Sequence, residues 1–408
     1  MSEKYYLIGE KLAHSYSAEI HKEFGYSYEL KELKKEEVGS FLCKKKFAGL
    51  NVTIPYKKEV IQYLDELDVS AEAVGAVNTI VNRNGKLVGY NTDVYGMTYL
   101  IKSANIDVNG KVVSILGSGG TSNIANYVAK NLGAKLTRII SRSNGGYDDL
   151  TKISDTEIII NTTPVGMYPN VGKAAIDISG FDKLIAVVDA IYNPKNTEII
   201  FDAQEKGIIA VSGLKMLVAQ AKKARDIFLG NEIDNDIIEK IYNKLLKNTL
   251  NVVLIGMPSS GKSTIGKALA NKLNREFIDS DAIIENRENR SIKEIFATEG
   301  EKYFRNVEKS VVEDITKGSA QVIATGGGAI MNDNAYRAMR RNSIVVYLVS
   351  ARTPDREGRP LLMDESAYNR LLKERTSTYE RISDIIIENN DSVEVVVDRI
   401  MEKICQRF

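Results

Sequence analysis

Two glycine-rich stretches hold the residues best suited to handling phosphate. The stretch Gly256–Ser263, GMPSSGKS, has a glycine, four residues and then Gly-Lys-Ser, and it follows the β-branched run NVVLI. A strand running into such a loop can wrap its backbone N–H groups around phosphate oxygens. On this reading Gly256, Ser259, Ser260 and Gly261 form the loop, Lys262 bridges the terminal phosphates, Ser263 ligates magnesium, and Thr264 follows in the first helical turn. The expected ligand is a magnesium-bound nucleoside triphosphate, ATP in the simplest case.

The second stretch is GSGG, where Gly117, Gly119 and Gly120 stand between the run VVSIL and a helical segment. Glycine there lets a backbone approach a pyrophosphate at a helix N-terminus. The next strand-like run ends in Ser141-Arg142-Ser143, where an NAD-binding protein would place an acid for the ribose hydroxyls. A guanidinium between two hydroxyls suits a 2′-phosphate, so NADP(H) is favoured over NAD. The bland alternatives are a tight strand-to-helix turn with no ligand and a surface arginine.

Further residues cluster behind the phosphate loop. FIDSD carries Asp279 and Asp281 two apart, projecting from one side if strand geometry persists. GEKYFRNVE supplies Arg305, ATGGGAI supplies Gly326, Gly327 and Gly328, REGRPLL supplies Arg359, and LLKERTSTYERIS supplies Arg375. Phosphoryl transfer to a small alcohol needs a carboxylate near the attacking hydroxyl, cations for the transferring charge and a closing lid. Taken singly, each arginine could be a helix-face ion pair and each glycine a mobile loop.

The elements that must position these groups are of alternating type. The first hundred residues alternate short apolar runs with amphipathic stretches, and AVNTIVNRNGKLVGYN predicts a hairpin turning at Asn84-Gly85. KVVSIL, KLTRIIS, DTEIIIN and IAVVDA are β-branched runs, as expected of strands buried on both faces of a parallel sheet. Leu214 to Leu229 has helical period, Asp236 to Leu246 is a second helix, and the strand NVVLI follows with no Gly/Ser- or Pro-rich spacer, which predicts a tight boundary near Lys247 to Leu250.

At 408 residues the chain has room for about two to four folding units. Net charge is +1, so no global field argues for nucleic acid or membrane, and phosphate binding must be local. The only histidines, His14 and His21, exclude a histidine-rich metal site, and His14 reads as structural. Cys43 and Cys405 read as reduced thiols, with Cys43 an ordinary helix residue. The start of the chain lacks an apolar run of signal-peptide length and no segment reaches about 18 apolar residues, so the expected location is the cytoplasm.

From about Lys4 to Gly230 the chain resembles the shikimate dehydrogenase family, with HSYSAEIH, NVTIPYK, AVNT, YNTD, the GSGG turn, NTTPVGM and GLKMLVAQA in family order. The resemblance implies a substrate cleft lined by Ser15, Ser17, Thr53, Asn78, Asp93 and Gln220, with Lys57 and Asp93 at the reacting carbon. Ketone reduction needs a hydride from one face and a proton or positive charge at the oxygen, and a lysine beside a carboxylate can supply the latter. Which of the two gives the proton stays open. Ser17 could instead cap the helix AEIHKEF, and Asn78 could hold a turn. The turn departs from the family at Thr121, Ser122 and Asn123, where alanines and a basic residue are usual.

From Asn248 onward the chain resembles shikimate kinase. In that family's terms Asp281 binds the substrate hydroxyl as candidate base, Asp279 holds the magnesium water shell, and Arg305 and Arg375 grip the substrate carboxylate. Gly326, Gly327 and Gly328 admit the substrate ring, and Arg359 closes with a lid that is short for the family, from Tyr347 to Leu361. The implied fold is α/β throughout: a substrate domain over 1–100 completed by 213–247, a Rossmann-like NADP-binding domain over 101–212, and a P-loop kinase domain with a parallel sheet over 248–408.

Together the resemblances imply NADPH-dependent reduction of 3-dehydroshikimate followed by phosphorylation of shikimate at its 3-hydroxyl, with small-molecule substrates, no nucleic acid or membrane partner, and either a monomer or a homodimer. The rival readings are an NAD-preferring quinate/shikimate dehydrogenase, a kinase for another small metabolite, and a kinase half that senses nucleotide without catalysis.

Overall fold

A computed structural model of the chain describes residues 4–13, 15–147, 149–350 and 365–408. The chain forms two compact units, Met1–Tyr242 and Asn243–Phe408. Their division falls inside the helix Asp236–Thr249, and the helix Asp93–Ser103 likewise runs through the division expected at residue 100. Helices thus occupy the chain at both positions.

The first unit contains two sheets. One is mixed and built from β1 (Tyr5–Gly9), β2 (Tyr28–Glu32), β3 (Gly49–Val52), β4 (Glu66–Leu67), β5 (Thr79–Arg83) and β6 (Lys86–Tyr90), in the order β2-β1-β3-β5-β6-β4. β5 and β6 form the expected hairpin; Asn84 and Gly85 both take positive φ, 53° and 90°, which matches the right-handed twist of the paired strands.

The other sheet is wholly parallel: β7 (Val112–Leu116), β8 (Leu136–Ile140), β9 (Ile158–Asn161), β10 (Ala186–Asp189) and β11 (Ile209–Ser212), ordered β11-β10-β9-β7-β8. Its strand runs are β-branched because helices cover both faces. Ile124 and Val128 of the helix Gly120–Asn131 pack on one side with Met97 and Ile101, and Ile199 and Ile200 of the helix Glu198–Glu205 pack on the other. The chain moves right to β8 and then returns left to β9, so the crevice between β7 and β9 is the topological switch point, the usual ligand position in such sheets.

The helix Leu214–Leu229 brings the chain back onto the first sheet's domain and packs on Asp93–Ser103. Gly96 makes that approach possible: a Cβ there would lie 2.6 Å from the Met216 carbonyl oxygen and 3.0 Å from the Gln220 Cβ. The close crossing holds Asp93 and Gln220 to one neighbourhood.

The second unit has one parallel sheet of β12 (Asn251–Ile255), β13 (Phe277–Asp279), β14 (Val322–Ala324), β15 (Ser343–Val349) and β16 (Ile385–Glu388), ordered β13-β14-β12-β15-β16. Its phosphate-type loop leaves the central strand β12 between β14 and β15. Among the described residues of the whole chain, no helix is long and apolar enough to cross a membrane.

Candidate active sites

In the first unit Ser15, Ser17, Thr53, Lys57, Asn78, Asp93 and Gln220 all line one cavity of about 380 Å³. They come from the loop after β1, the loop after β3, the approach to β5 and three helices. Lys57 Nζ donates to Asp93 Oδ2 at 2.6 Å, with both side chains partly exposed to the cavity. Asp93 is the first residue of its helix, where N–H groups and the helix dipole favour a negative charge.

Asn78 is oriented through its oxygen, which accepts from Thr92 N at 2.8 Å and Thr79 Oγ1 at 3.0 Å. Gln220 is held at both ends: Nε2 donates to the Leu217 carbonyl at 2.8 Å and Oε1 accepts from Thr92 Oγ1 at 3.3 Å. Ser17 does not cap the helix Ser17–Lys22; Tyr16 occupies that position, and the Ser17 N–H donates to Ser15 Oγ at 3.2 Å. His14 lies outside the described residues.

The cavity includes groups that the motifs did not flag. Tyr192 follows β10 in the run AIYNP, and burial raises its phenol above the ordinary value. Asn51 joins the polar floor, accepting from Tyr28 Oη at 2.7 Å and donating to Thr79 Oγ1 at 2.9 Å. His21 is buried, stacked on Tyr28 at 3.9 Å between centroids, and desolvation lowers its imidazole to about 3. The available signal for Asn51 and Tyr192 was a polar residue next to a motif at a strand end.

At the switch point, Gly117 has φ +110°, and a Cβ on it would meet Thr162 Oγ1 at 2.8 Å. Added Cβ atoms on Gly119 and Gly120 would meet nothing within 4 Å, so this turn presents open backbone at the start of the helix Gly120–Asn131. Of the residues that depart from the family there, Ser122 turns inward and donates to the Gly119 carbonyl at 2.6 Å. Ser141, Arg142 and Ser143 follow β8, whose last residue Ile140 pairs with Leu116 of β7, so they adjoin the glycine turn. Ser141 and Ser143 hydroxyls bond to each other at 2.9 Å, while Arg142 is exposed. Open glycine backbone beside an exposed guanidinium fits a phosphorylated dinucleotide.

Under β10, Asp189 is fully buried and surrounded by neutral donors: Thr197 Oγ1 at 2.5 Å, Asn161 Nδ2 at 3.0 Å and the Ile191 N–H at 3.0 Å. Burial raises its carboxyl to about 6 against these hydrogen bonds. It ties the loop after β9 to the loop bearing Tyr192.

In the second unit, Gly256 (φ +148°), Ser259 (φ +66°) and Gly261 (φ +87°) shape the loop through backbone conformations that side chains resist. Lys262 Nζ donates to the Gly256 and Met257 carbonyls, both at 2.9 Å, so its charge lies inside the loop. Ser263 Oγ donates to Asp279 Oδ2 at 2.6 Å, an oxygen pair suited to a magnesium ion that keeps most of its own waters. Ser260 is buried beneath the loop and Thr264 is exposed on the first helical turn.

Strand geometry does not persist through FIDSD. β13 ends at Asp279, which caps the helix Ser280–Glu288 by accepting from the Asp281 N–H at 3.1 Å. Asp281 is therefore delivered by a helix's first turn. The three glycines each face a different neighbour: a Cβ on Gly326 would lie 2.6 Å from Glu308 Oε1 and 2.8 Å from Asp281 Oδ1, one on Gly327 would lie 2.9 Å from Pro258 Cδ, and one on Gly328 would run into the Arg305 guanidinium.

Arg305 is paired with Glu308 at 2.7 Å and Glu301 at 3.0 Å. Arg375 donates to the Gly327 carbonyl at 3.0 Å, joined there by Tyr379 Oη at 2.5 Å. Glu308 is nearly fully buried, and burial raises its carboxyl although Arg305 opposes the shift. Its signal was legible in principle, since it stands three residues after Arg305 on one helix face. Arg359 and the segment expected to form the lid lie outside the described residues, apart from its first four positions.

Two family models match the chain: shikimate dehydrogenase substrate binding domain over residues 7–80, and shikimate kinase over residues 258–405. The shikimate dehydrogenase (NADP(+)) of Clostridium perfringens is 36% identical over 263 residues, spanning 59% of this chain and 97% of the relative. That of Methanococcus maripaludis is 33% identical over 264 residues, spanning 57% and 94%. Among solved structures, a chorismate mutase/shikimate 5-dehydrogenase fusion protein from Clostridium acetobutylicum is similar at 34% identity and a TM-score of 0.56, over 60% of this chain and 97% of that one. Shikimate dehydrogenase 1 from Peptoclostridium difficile is similar at 38% identity and a TM-score of 0.52, over the same shares.

Proposed function

Because the chain belongs to the shikimate dehydrogenase family and continues into a shikimate kinase domain, we propose that its two sites act in sequence, the first reducing 3-dehydroshikimate to shikimate and the second phosphorylating shikimate at its 3-hydroxyl. The observation that carries the reductase half is the Lys57–Asp93 pair, 2.6 Å apart in the wall of a cavity otherwise rich in neutral donors.

NADPH, when bound along Gly117, Gly119, Gly120 and Ser141–Ser143, supplies the hydride. Ser15 and Ser17 hydrogen-bond the substrate carboxylate, while Thr53, Asn78 and Gln220 orient the ring through its oxygens. The Lys57–Asp93 pair stabilises the charge gathering on the ketone oxygen and furnishes its proton. Asp189 holds the loops after β9 and β10 in register beneath this site.

In the kinase half, Mg-ATP supplies the phosphoryl group. Lys262 and the loop N–H groups would hold its phosphates, and Ser263 and Asp279 would hold the magnesium that offsets their charge. Asp281 accepts the hydroxyl proton. Arg305 and Arg375 fix the substrate carboxylate, and Glu308 keeps Arg305 pointed along the edge of Gly328. A chain that uses NADPH and ATP on soluble acids fits the cytoplasm.

The test is a single mixture of purified chain, 3-dehydroshikimate, NADPH and Mg-ATP, followed by NADPH absorbance and product masses. Loss of NADPH with appearance of shikimate 3-phosphate is expected. Unphosphorylated shikimate as the end product would sink the kinase half, and unchanged NADPH would sink the reductase half.

A further inference from the structure

The reductase cavity has an unusual charge inventory. Among the described residues its wall includes two lysines, Lys11 and Lys57, one acidic residue, Asp93, and His21. Lys57 and Asp93 cancel each other. His21 is neutral, because burial without a charged partner disfavours its cation. Without Lys11 the described residues of the wall would carry no net charge, and a carboxylate entering it would have no uncompensated cation among them to offset its lost water.

Lys11 lies in the loop after β1, exposed, and has no ion-pair partner among the described residues. Glu32 reaches this loop and accepts from the Leu12 N–H at 2.8 Å, and Glu10 precedes Lys11 in it, but neither carboxylate lines the cavity. The Ser15 N–H donates to the Leu12 carbonyl at 3.0 Å, a turn that keeps Lys11 on the same stretch of wall as Ser15 and Ser17.

We propose that Lys11 is a specificity-determining residue of the reductase, supplying the one uncancelled positive charge among the cavity's described residues and selecting the carboxylate form of the substrate over an uncharged ester of the same ring. This rests on reading the cavity as the site for 3-dehydroshikimate and shikimate. The serines give the carboxylate its hydrogen bonds, and Lys11 gives it a counter-charge.

The experiment follows NADP+-dependent oxidation of shikimate and of methyl shikimate by the wild type, K11M, K11E and K11R. K11M lowers kcat/KM for shikimate roughly threefold to tenfold, through KM, the scale of one partly exposed charge pair. The ester changes by less than about twofold, and the difference shrinks in high salt. K11E widens the loss and K11R restores it, which separates charge from folding. Equal losses on both substrates, or an unchanged ratio in both K11M and K11E, overturn the proposal while leaving the site's reading intact. A wild-type chain that does not oxidise shikimate overturns both.

Discussion

The two glycine-rich turns of this chain use the same residue for opposite reasons. At Gly119 and Gly120 an added Cβ would meet nothing within 4 Å, whereas at Gly256 it would lie 2.6 Å from the Leu348 carbonyl oxygen and at Gly261 it would run into the Asn389 side chain. In the first turn only Gly117 is packed, against Thr162, while Gly119 and Gly120 leave backbone open to a ligand from outside. In the second, glycine serves the loop itself, whose backbone exists only at positive φ against packed neighbours. What backs each turn differs too. Neutral donors surround Asp189 behind the first, and charges face charges at Arg305 and Glu308 behind the second.

The comparison breaks most visibly at the packed turn. G261A forces a Cβ at φ +87° into Asn389 and K262A removes the charge inside the loop, so each should lower kinase kcat/KM by about 10²–10³-fold. NADPH oxidation should stay at the wild-type rate in both variants. A kinase rate within about threefold of wild type would mean that the loop tolerates the side chain and that the packing argument is wrong.

The neutral network makes a pH prediction for the other unit. Asp189 has a folded-state pKa raised to about 6 from the ordinary 3.8, so the native state binds its proton more tightly than the unfolded chain does. Its contribution to stability is therefore largest at low pH and falls as pH rises through that window, by up to roughly 3 kcal/mol. His21, lowered to about 3, gives a slope of opposite sign that wild type and D189N share. Urea melts from pH 4 to 6.5 should show the stability difference between wild type and D189N shrinking with pH. A constant difference would remove the buried carboxylate's titration from the account.

At the open turn the expected effect is smaller and of another kind. G120V should leave thermal stability within a degree or two, because its Cβ enters free space, yet raise KM for NADPH about tenfold by blocking close approach of a phosphate. A large drop in Tm with unchanged KM would put Gly120 with the packed glycines.

The contrast also explains what could be read from the chain in advance. That Ser15, Thr53, Lys57, Asn78, Asp93 and Gln220 line one cavity was legible because each stands in a local sequence motif, most of them near a strand end or a helix start, with Gln220 inside the helix Leu214–Leu229. The hairpin at Asn84-Gly85 and the helix from Leu214 to Leu229 were legible from turn chemistry and period alone. Glu308, Tyr379 and Asn389 were not singled out, since each matters through a partner distant in the chain or hidden by packing: Tyr379 holds the Gly327 carbonyl, and Asn389 donates to the Ser260 carbonyl at 2.8 Å. The condition set for Asp279 and Asp281, that strand geometry persist, is not met, because the strand ends at the cap Asp279, two residues before the second carboxylate.

Arg142 gives the finest test of the open turn, because its loop keeps its shape without the side chain. Asn144 Oδ1 accepts from the Ser141 N–H at 3.0 Å and Asn144 Nδ2 donates to the Ile139 carbonyl at 2.9 Å, so the local backbone is braced from within. Replacing the exposed guanidinium by an amide in R142Q should therefore change what the loop recognises and not how it folds. A guanidinium can bind a 2′-phosphate bidentately, and NADH lacks that group. R142Q should raise KM for NADPH roughly threefold to tenfold and leave KM for NADH near its starting value, so the ratio of kcat/KM for the two cofactors falls by the same factor. If the ratio holds, the discrimination lies in Ser141 and Ser143, and the open turn selects its cofactor by hydrogen bonding without charge.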